Sequence, residues 1–133
     1  MAKEGPMKSI ENCKVLIVDD EEDICQIMLN YLQAEGYDAM IAHNAKEALK
    51  IIKEKKFDLL VIDVVLPDVD GYALARELRD DEKTFLTPVI MISAQKKDYK
   101  DKLSGFLSGA CDYLTKPFTK EDFVKSVSKV LSI

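Results

Sequence analysis

The chain has 133 residues, of which 47% are hydrophobic and 32% charged, and its formal net charge is −5. This length suffices for one domain with its own apolar core, and the composition is ordinary for a globular protein. No apolar run approaches the roughly 18 residues that cross a bilayer, and the N-terminus lacks the apolar segment of a secretory signal. We therefore expect a cytoplasmic protein that does not bind membranes, and the acidic balance predicts no direct nucleic-acid binding.

The sequence contains three cysteines, Cys13, Cys25 and Cys111. Their number is odd and no two of them form a C-x-x-C pair, which argues against a disulfide framework or a zinc site. We expect reduced thiols that are mostly buried.

Short apolar runs alternate with segments of helical periodicity from residue 13 onwards, whereas residues 1–12 are polar and aperiodic. We predict a flexible leader over residues 1–12 and one domain over residues 13–133. The apolar runs predict five strands, and the periodic segments predict five helices. The predicted strands cover 14–18, 37–42, 58–63, 88–94 and 111–115. The predicted helices cover 22–35, 44–52, 72–78, 99–107 and 119–131.

The continuous apolar character of these strands is typical of a parallel sheet that is buried on both faces. Strands that alternate with helices through short connections predict a doubly wound parallel α/β fold, because right-handed crossovers place helices on both faces.

Chemically distinctive residues follow four of the strands. The first strand is followed by Asp19 and Asp20, the third ends at Asp63, the fourth ends near Ser93, and the fifth leads to Lys116. Since the carboxyl ends of parallel strands lie on one edge of the sheet, these five residues should meet in one cleft.

Three neighbouring carboxylates repel each other unless a cation neutralises them. Oxygen ligands of this kind suit Mg²⁺, and a carboxylate beside Mg²⁺ can act as a nucleophile toward phosphorus. Phosphoryl transfer depends chiefly on positioning and charge neutralisation, for which Lys116 offers a cation and Ser93 a hydroxyl. The small side chain of Ala94 leaves room for the transferred group.

Five segments together resemble the receiver domain of two-component response regulators, and the resemblance extends over roughly residues 13–132. One such segment alone would be weak evidence, but five in order at the expected strand ends are specific. The segments are Val18-Asp19-Asp20, Asp63-Val64-Val65-Leu66-Pro67-Asp68-Val69-Asp70-Gly71, Ile92-Ser93-Ala94, Gly109-Ala110-Cys111-Asp112-Tyr113-Leu114 and Lys116-Pro117-Phe118.

The resemblance implies a flavodoxin-like five-stranded parallel sheet of order 2-1-3-4-5 with five helices. It implies that Asp63 accepts a phosphoryl group from a phosphohistidine of a sensor histidine kinase or phosphotransfer protein. It further implies that Mg²⁺ is bound directly by Asp20, Asp63 and the backbone carbonyl of Val65, and largely through water by Asp19.

By the same resemblance, Lys116 pairs with the phosphoryl group and Ser93 donates a hydrogen bond to it. Tyr113 occupies the aromatic switch position and turns inward when Ser93 moves, and the Lys116–Pro117 peptide bond is cis.

The implied function is that of a signalling switch, which is not an enzyme but assists its own phosphorylation and dephosphorylation. The responding surface would be formed by the fourth predicted helix, the fifth strand and the fifth predicted helix. That surface would control a partner or an output region, and a homodimer could form through it. The sequence leaves open whether the domain acts alone or within a longer chain.

Other polar residues near the site have simpler interpretations. Glu21, Glu22 and Asp23 are expected only to favour the amino end of the first helix through its dipole. Asp68 and Asp70 are expected to serve the loop and the start of the third helix. His43, the sole histidine, is expected to be a surface residue.

Three alternatives are weaker. A receiver-like adaptor that works without phosphorylation would not need Asp19, Asp20, Asp63, Ser93 and Lys116 together. A flavodoxin-type binder would carry a phosphate-binding loop after the first strand, where this chain has an acidic run. A phosphohydrolase with an aspartyl nucleophile would, by family resemblance, have an acid at the position of Val65.

Overall fold

A computed structural model describes residue 10, residues 13–94 and residues 109–133 of the chain. The leader predicted for residues 1–12 therefore lies outside the described residues, except for Ile10. The helix predicted over 99–107 also lies outside them.

The described parts of the chain contain five strands and four helices. The strands are β1 (Lys14–Val18), β2 (Asp38–Ala42), β3 (Leu59–Asp63), β4 (Val89–Ser93) and β5 (Asp112–Thr115). The helices are α1 (Glu22–Ala34), α2 (Ala45–Glu54), α3 (Gly71–Arg79) and α4 (Lys120–Leu131). Each coincides with a predicted element to within a few residues.

The strands form one sheet of order β2-β1-β3-β4-β5, and every pairing in it is parallel. This confirms the predicted parallel sheet and its strand order. All residues of β3 and β4 are buried, whereas those of β5 are half-buried. Continuous apolar runs therefore mark the central strands, as expected for a sheet covered on both sides.

The core consists of two apolar clusters, one on each face of the sheet. Alternate residues of one strand point to opposite faces, so Leu16 and Val18 belong to one cluster while Val15 and Ile17 belong to the other. Helices α2 and α3 cover the first face, and α1 and α4 cover the second. Each fully buried branched side chain of this kind contributes roughly 1.5–3 kcal/mol to folding.

Three of the four described helices begin at a residue whose side chain accepts a hydrogen bond from a free backbone N–H group, whereas the side chain at the start of α1 accepts none. In α4, Thr119 and Asp122 form a capping box. In α2, Asn44 accepts from the N–H of Glu47, but the Glu47 carboxylate accepts from the N–H of His43 rather than from that of Asn44. The return hydrogen bond of this pair is therefore shifted by one residue from that of a capping box.

The three cysteines are free, but their environments differ. Cys13 and Cys25 are buried as expected, whereas Cys111 is exposed. The expectation of burial fails for Cys111 because it precedes β5, an edge strand with one open side. Among the helices that the structure describes, none has both the length and the apolar character to span a membrane.

Candidate functional site

Three aspartates meet at the carboxyl edge of the two central strands β1 and β3. Asp19 and Asp20 follow β1, and Asp63 is the last residue of β3. One carboxylate oxygen from each lies within 4.8 Å of the others. Asp19 and Asp63 are buried and Asp20 is exposed, so the cluster opens to solvent on one side only. The convergence predicted from the strand ends is confirmed for these three side chains.

The ammonium group of Lys116 lies among the buried carboxylates. Its Nζ is 3.1 Å from Oδ2 of Asp19, 2.8 Å from Oδ2 of Asp63 and 2.7 Å from Oε1 of Glu21. The backbone N–H of Lys116 donates to the carbonyl of Ser93 at 2.7 Å, which fastens the loop after β5 to the end of β4. The predicted meeting of Lys116 with Asp19 and Asp63 is therefore present.

Backbone donors hold the second oxygen of each buried carboxylate. The N–H of Glu21 donates to Oδ1 of Asp19 at 2.9 Å, and the N–H of Val65 donates to Oδ1 of Asp63 at 3.0 Å. Each carboxylate thus has one oxygen on a backbone N–H and the other on Lys116. This arrangement fixes both side chains before any ligand arrives.

Burial and charge shift the protonation equilibria of the site. Burial raises the pKa of Asp19 to about 6 against the hydrogen bond from Glu21, and the negative charge of Asp63 adds to the rise. Burial alone would lower the pKa of Lys116, but its hydrogen bonds to Asp63, Glu21 and Asp19 raise that pKa instead. Lys116 is therefore a cation throughout the neutral pH range.

Glu21 has a larger part in the site than the sequence indicated. Its expected role was limited to the dipole of α1, yet its carboxylate forms the shortest of the contacts with Lys116 Nζ. The helix-end position was correct, since Glu21 is the N-cap residue of α1, but its side chain caps nothing. Only the path of the loop after β5 brings Lys116 within reach, and no local sequence signal reports that path.

The loop between β3 and α3 returns closely against the end of β3. The N–H of Gly71 donates to the carbonyl of Val64 at 2.7 Å. A Cβ at position 71 would lie 2.1 Å from the carbonyl oxygen of Asp63, so any side chain there would collide with the backbone that carries the candidate acceptor. Gly71 is required by this close approach.

The two aspartates of the same loop cap two different helices. Asp70 is the N-cap of α3 and accepts from the N–H of Tyr72 at 2.8 Å, as expected. Asp68 instead accepts from the N–H groups of Ala45 and Lys46 in α2, at 3.0 and 2.9 Å. These bonds lower the pKa of Asp68. The prediction that Asp68 serves the loop is confirmed, but Asp68 fastens that loop to the start of α2 rather than to the start of α3.

The remaining predicted residues lie in β4, in β5 and in the loops that follow β3 and β5. Ser93 is buried at the end of β4, and Val65 exposes 72% of its surface beside Asp63. Tyr113 is half-buried in β5, and its hydroxyl oxygen is buried without a hydrogen-bond partner among the described residues. The Lys116–Pro117 bond is cis, as predicted.

His43 is partly exposed and pairs with acidic side chains. Its Nε2 lies 3.1 Å from Oε2 of Glu22, and its Nδ1 lies 3.4 Å from Oε1 of Glu47. Glu22 therefore also links α1 to the loop before α2, in addition to its expected effect on the helix dipole.

Two cavities differ in their relation to the acidic cluster. One of about 620 Å³ lies at the opposite edge of the sheet, between the end of α2 and the loop before β4, and no residue of the cluster lines it. Another of about 430 Å³ borders the cluster through Lys116. Its other lining residues are mostly apolar: Ile24, Ile27, Tyr31, Pro117 and Phe118.

The acidic cluster has the donor set and spacing that suit Mg²⁺. In octahedral coordination the Mg²⁺–oxygen distance is about 2.1 Å, which puts opposite oxygens about 4.2 Å apart. The separation of up to 4.8 Å between the three carboxylates approaches this value, so small side-chain movements would satisfy it. All three donors are oxygens, and one carboxylate is open to water, as a partly hydrated ion requires.

Comparison with known proteins agrees with this fold. Residues 15–128 match the family described as the response regulator receiver domain. The chain therefore belongs to the receiver-domain family of response regulators, and within that family it is similar to several characterised proteins.

The alkaline phosphatase synthesis transcriptional regulatory protein PhoP of Bacillus subtilis is 39% identical over 120 residues, which cover 90% of this chain and 49% of PhoP. The phosphate regulon transcriptional regulatory protein PhoB of Pseudomonas aeruginosa is 39% identical over 117 residues, covering 88% of this chain and 51% of PhoB. The chain thus spans about half the length of these curated relatives.

Solved structures show the same likeness. The chemotaxis protein CheY4 of Vibrio cholerae has a TM-score of 0.83 at 31% identity, covering 89% of this chain and 98% of that one. A two-component response regulator from Clostridium difficile has a TM-score of 0.84 at 30% identity, covering 91% of this chain and 97% of that one.

Proposed function

We propose that this domain is a Mg²⁺-dependent signalling switch in which Asp63 accepts a phosphoryl group from a phosphohistidine of a histidine kinase or phosphotransfer protein. The observation that carries the proposal is the environment of Asp63. Its carboxylate is buried at a strand end, accepts from the Val65 N–H and from Lys116, and lies beside two further carboxylates.

The transfer forms one bond and breaks another. A carboxylate oxygen of Asp63 attacks phosphorus, and the bond between phosphorus and the donor's imidazole nitrogen breaks. The imidazole keeps the electron pair and takes a proton from solvent, while Asp63 becomes an acyl phosphate. The transferred group carries its negative charge on the outer oxygens, and Lys116 and the Ser93 hydroxyl are the side chains that would receive them.

We assign the Mg²⁺ ligands to this chain's own oxygens: Asp20, Asp63 and the Val65 carbonyl directly, and Asp19 largely through water. The bound ion would neutralise the carboxylates and the phosphoryl oxygens. Lys116 neutralises only part of the charge, because three carboxylates contact its single ammonium group and a fourth, that of Asp20, lies in the same acidic cluster.

The apolar cavity next to Lys116 is the proposed docking surface for the protein phosphodonor. A donor histidine can reach Asp63 only if the donor protein contacts surfaces that border the acidic cluster. Ile27 is 42% exposed on α1 and lines that cavity together with Tyr31 and Phe118. Burial of such apolar surface would stabilise the complex while leaving the carboxylates open.

The switch itself is proposed to involve Ser93, Tyr113 and the surface of β5 and α4 together with the segment before Gly109. The Tyr113 hydroxyl forms no hydrogen bond with another described residue, so it loses none when the ring moves. We propose that this surface controls a partner or output region and can also form a homodimer. Since the relatives PhoP and PhoB are named transcriptional regulatory proteins, we further propose that the domain acts in the cytoplasm.

The proposal is tested by incubating the domain with acetyl phosphate, with and without Mg²⁺, and measuring intact mass. We expect one added phosphoryl group that depends on Mg²⁺ and is absent from Asp63→Asn. The matched control is Asp23→Asn, which changes an exposed aspartate in the first turn of α1 and should label like wild type. Absence of labelling together with absence of Mg²⁺ binding would favour a phosphorylation-independent adaptor instead.

A further inference from the structure

The hydrogen-bond donors of Lys116 are fully used before any phosphoryl group arrives. A lysine ammonium has three N–H donors, and Lys116 Nζ has three carboxylate partners, Asp19, Glu21 and Asp63. If Asp63 is phosphorylated as proposed above, on which this inference rests, Lys116 must release one carboxylate to bind a phosphoryl oxygen during the transfer.

The three carboxylates are not equally free to leave. The side chains of Asp19 and Asp63 are only 1% and 7% exposed, whereas that of Glu21 is 59% exposed. A carboxylate that loses its partner inside the protein pays a large desolvation cost, but one at the surface is solvated by water at once. Release of Glu21 therefore costs the least.

The backbone hydrogen bonds also distinguish Glu21 from the other two carboxylates. Asp19 and Asp63 are each held by a backbone N–H as well as by Lys116, and Asp63 is the nucleophile itself. The Glu21 carboxylate has Lys116 as its hydrogen-bond partner among the described residues, and its flexible side chain can swing into solvent.

We propose that Glu21 is a positioning residue that occupies the third donor of Lys116 in the unphosphorylated domain and yields it to the incoming phosphoryl group. Glu21 thereby sets part of the barrier to phosphorylation. When the phosphoryl group displaces Glu21, the surface ion pair between Glu21 and Lys116 is lost. Such a pair contributes about 0.2–1 kcal/mol, which corresponds to about 1.4- to 5-fold in rate.

The first test compares Glu21→Gln with wild type in the initial rate of phosphorylation by acetyl phosphate, at Mg²⁺ concentrations that saturate each variant. We expect the variant to react about 1.4- to 5-fold faster, because a neutral amide oxygen holds the ammonium less strongly. Circular-dichroism melting should show little change, so a purely structural effect would not account for the faster reaction.

Two controls separate release of Lys116 from a general loss of negative charge. Glu22→Gln removes the same charge one residue further on, from a side chain that pairs with His43, and it should leave the rate unchanged. In a Lys116→Ala background, Glu21→Gln should have no effect on the rate, because the residue through which Glu21 acts is missing.

The outcomes of these tests distinguish release of Glu21 by Lys116 from simple charge repulsion and from failure of the proposed function. An unchanged or slower rate for Glu21→Gln would overturn the proposal. Equal acceleration by Glu22→Gln, or acceleration that persists without Lys116, would overturn it in favour of simple charge repulsion. If wild type takes up no phosphoryl group at all, the proposed function fails and this inference fails with it.

Discussion

The ammonium nitrogen of Lys116 lies 2.8 Å from Oδ2 of Asp63, joining the loop after the edge strand to the end of the central strand. The same nitrogen also reaches Asp19 and Glu21. One cation therefore neutralises part of a cluster of acids whose mutual repulsion would otherwise oppose folding.

Removal of this cation should reveal its contribution. We expect Lys116→Ala to fold but to lose about 1–3 kcal/mol of unfolding free energy without Mg²⁺, less than for a fully buried pair because the cluster opens to water. Addition of Mg²⁺ should recover much of the loss. Urea denaturation with and without Mg²⁺ measures both effects.

Lys129→Ala, which removes an exposed lysine 3.8 Å from Asp112, is the control and should change stability little. Unaltered stability of Lys116→Ala in Mg²⁺-free buffer would contradict this account.

Mg²⁺ binding should depend on pH through Asp19. Its ordinary pKa of 3.8 is raised to about 6, so the folded protein binds more protons than the unfolded chain between these values. The contribution of Asp19 to stability therefore falls as pH rises from 3.8 to 6, and Mg²⁺ must compete with its proton below about pH 6.

Isothermal titration calorimetry should show Mg²⁺ affinity falling as pH decreases below about 6, by up to about tenfold per pH unit. The variant Asp19→Asn should bind Mg²⁺ more weakly and lose this part of the pH dependence. A wild-type affinity that is constant between pH 5 and 7 would show that Asp19 does not take part.

Asp68 should matter more for stability than its exposed position suggests. Asp68→Ala removes the acceptor for the N–H groups of Ala45 and Lys46, so we expect a lower melting temperature at pH 7. Because the folded-state pKa of Asp68 lies below 3.8, its contribution is fully present above that pH and is lost as pH falls through the folded value.

The melting difference between Asp68→Ala and wild type should therefore shrink as the pH falls below 3.8. Asp38→Ala, which changes an exposed aspartate in β2, serves as the control. Equal melting temperatures for wild type and Asp68→Ala at pH 7 would show that these two hydrogen bonds do not stabilise the domain.

The cavity beside Lys116 should distinguish a protein phosphodonor from a small one. We expect Ile27→Glu to reduce transfer from a purified phosphorylated histidine kinase by about tenfold or more, the effect of losing an interface anchor. Phosphorylation by acetyl phosphate should stay within about twofold of wild type, since a small donor needs no docking surface.

Gln26→Glu introduces the same charge at an exposed neighbouring position outside the cavity and should leave both reactions nearly unchanged. Equal transfer from the kinase to Ile27→Glu and to wild type would place the docking surface elsewhere.

The sheet and the acidic cluster could be predicted because both depend on local patterns. Apolar runs identified the strands, and a parallel sheet brings their carboxyl ends to one edge, which placed Asp19, Asp20 and Asp63 together. The start of the last helix, predicted at residue 119, likewise agrees with Thr119 as the N-cap of α4.

The partners of Glu21 and Asp68 could not be predicted in the same way. Each lies in a loop at the carboxyl edge, and each pairs with a residue from a different loop or helix. Which partner a flexible acidic side chain reaches depends on how two loops pass each other by a few ångströms. Residue spacing along the chain does not encode that distance, so helix-end preferences gave only a partial answer for both.

The claim that Asp63 accepts the phosphoryl group is tested most directly by locating the acyl phosphate. Borohydride reduces an aspartyl phosphate to homoserine, and peptide mass spectrometry identifies the residue that has changed. After reaction with acetyl phosphate and Mg²⁺, we expect homoserine at position 63 alone, and none without Mg²⁺. Homoserine at position 19 or 20, or none under any condition, would contradict the assignment of Asp63.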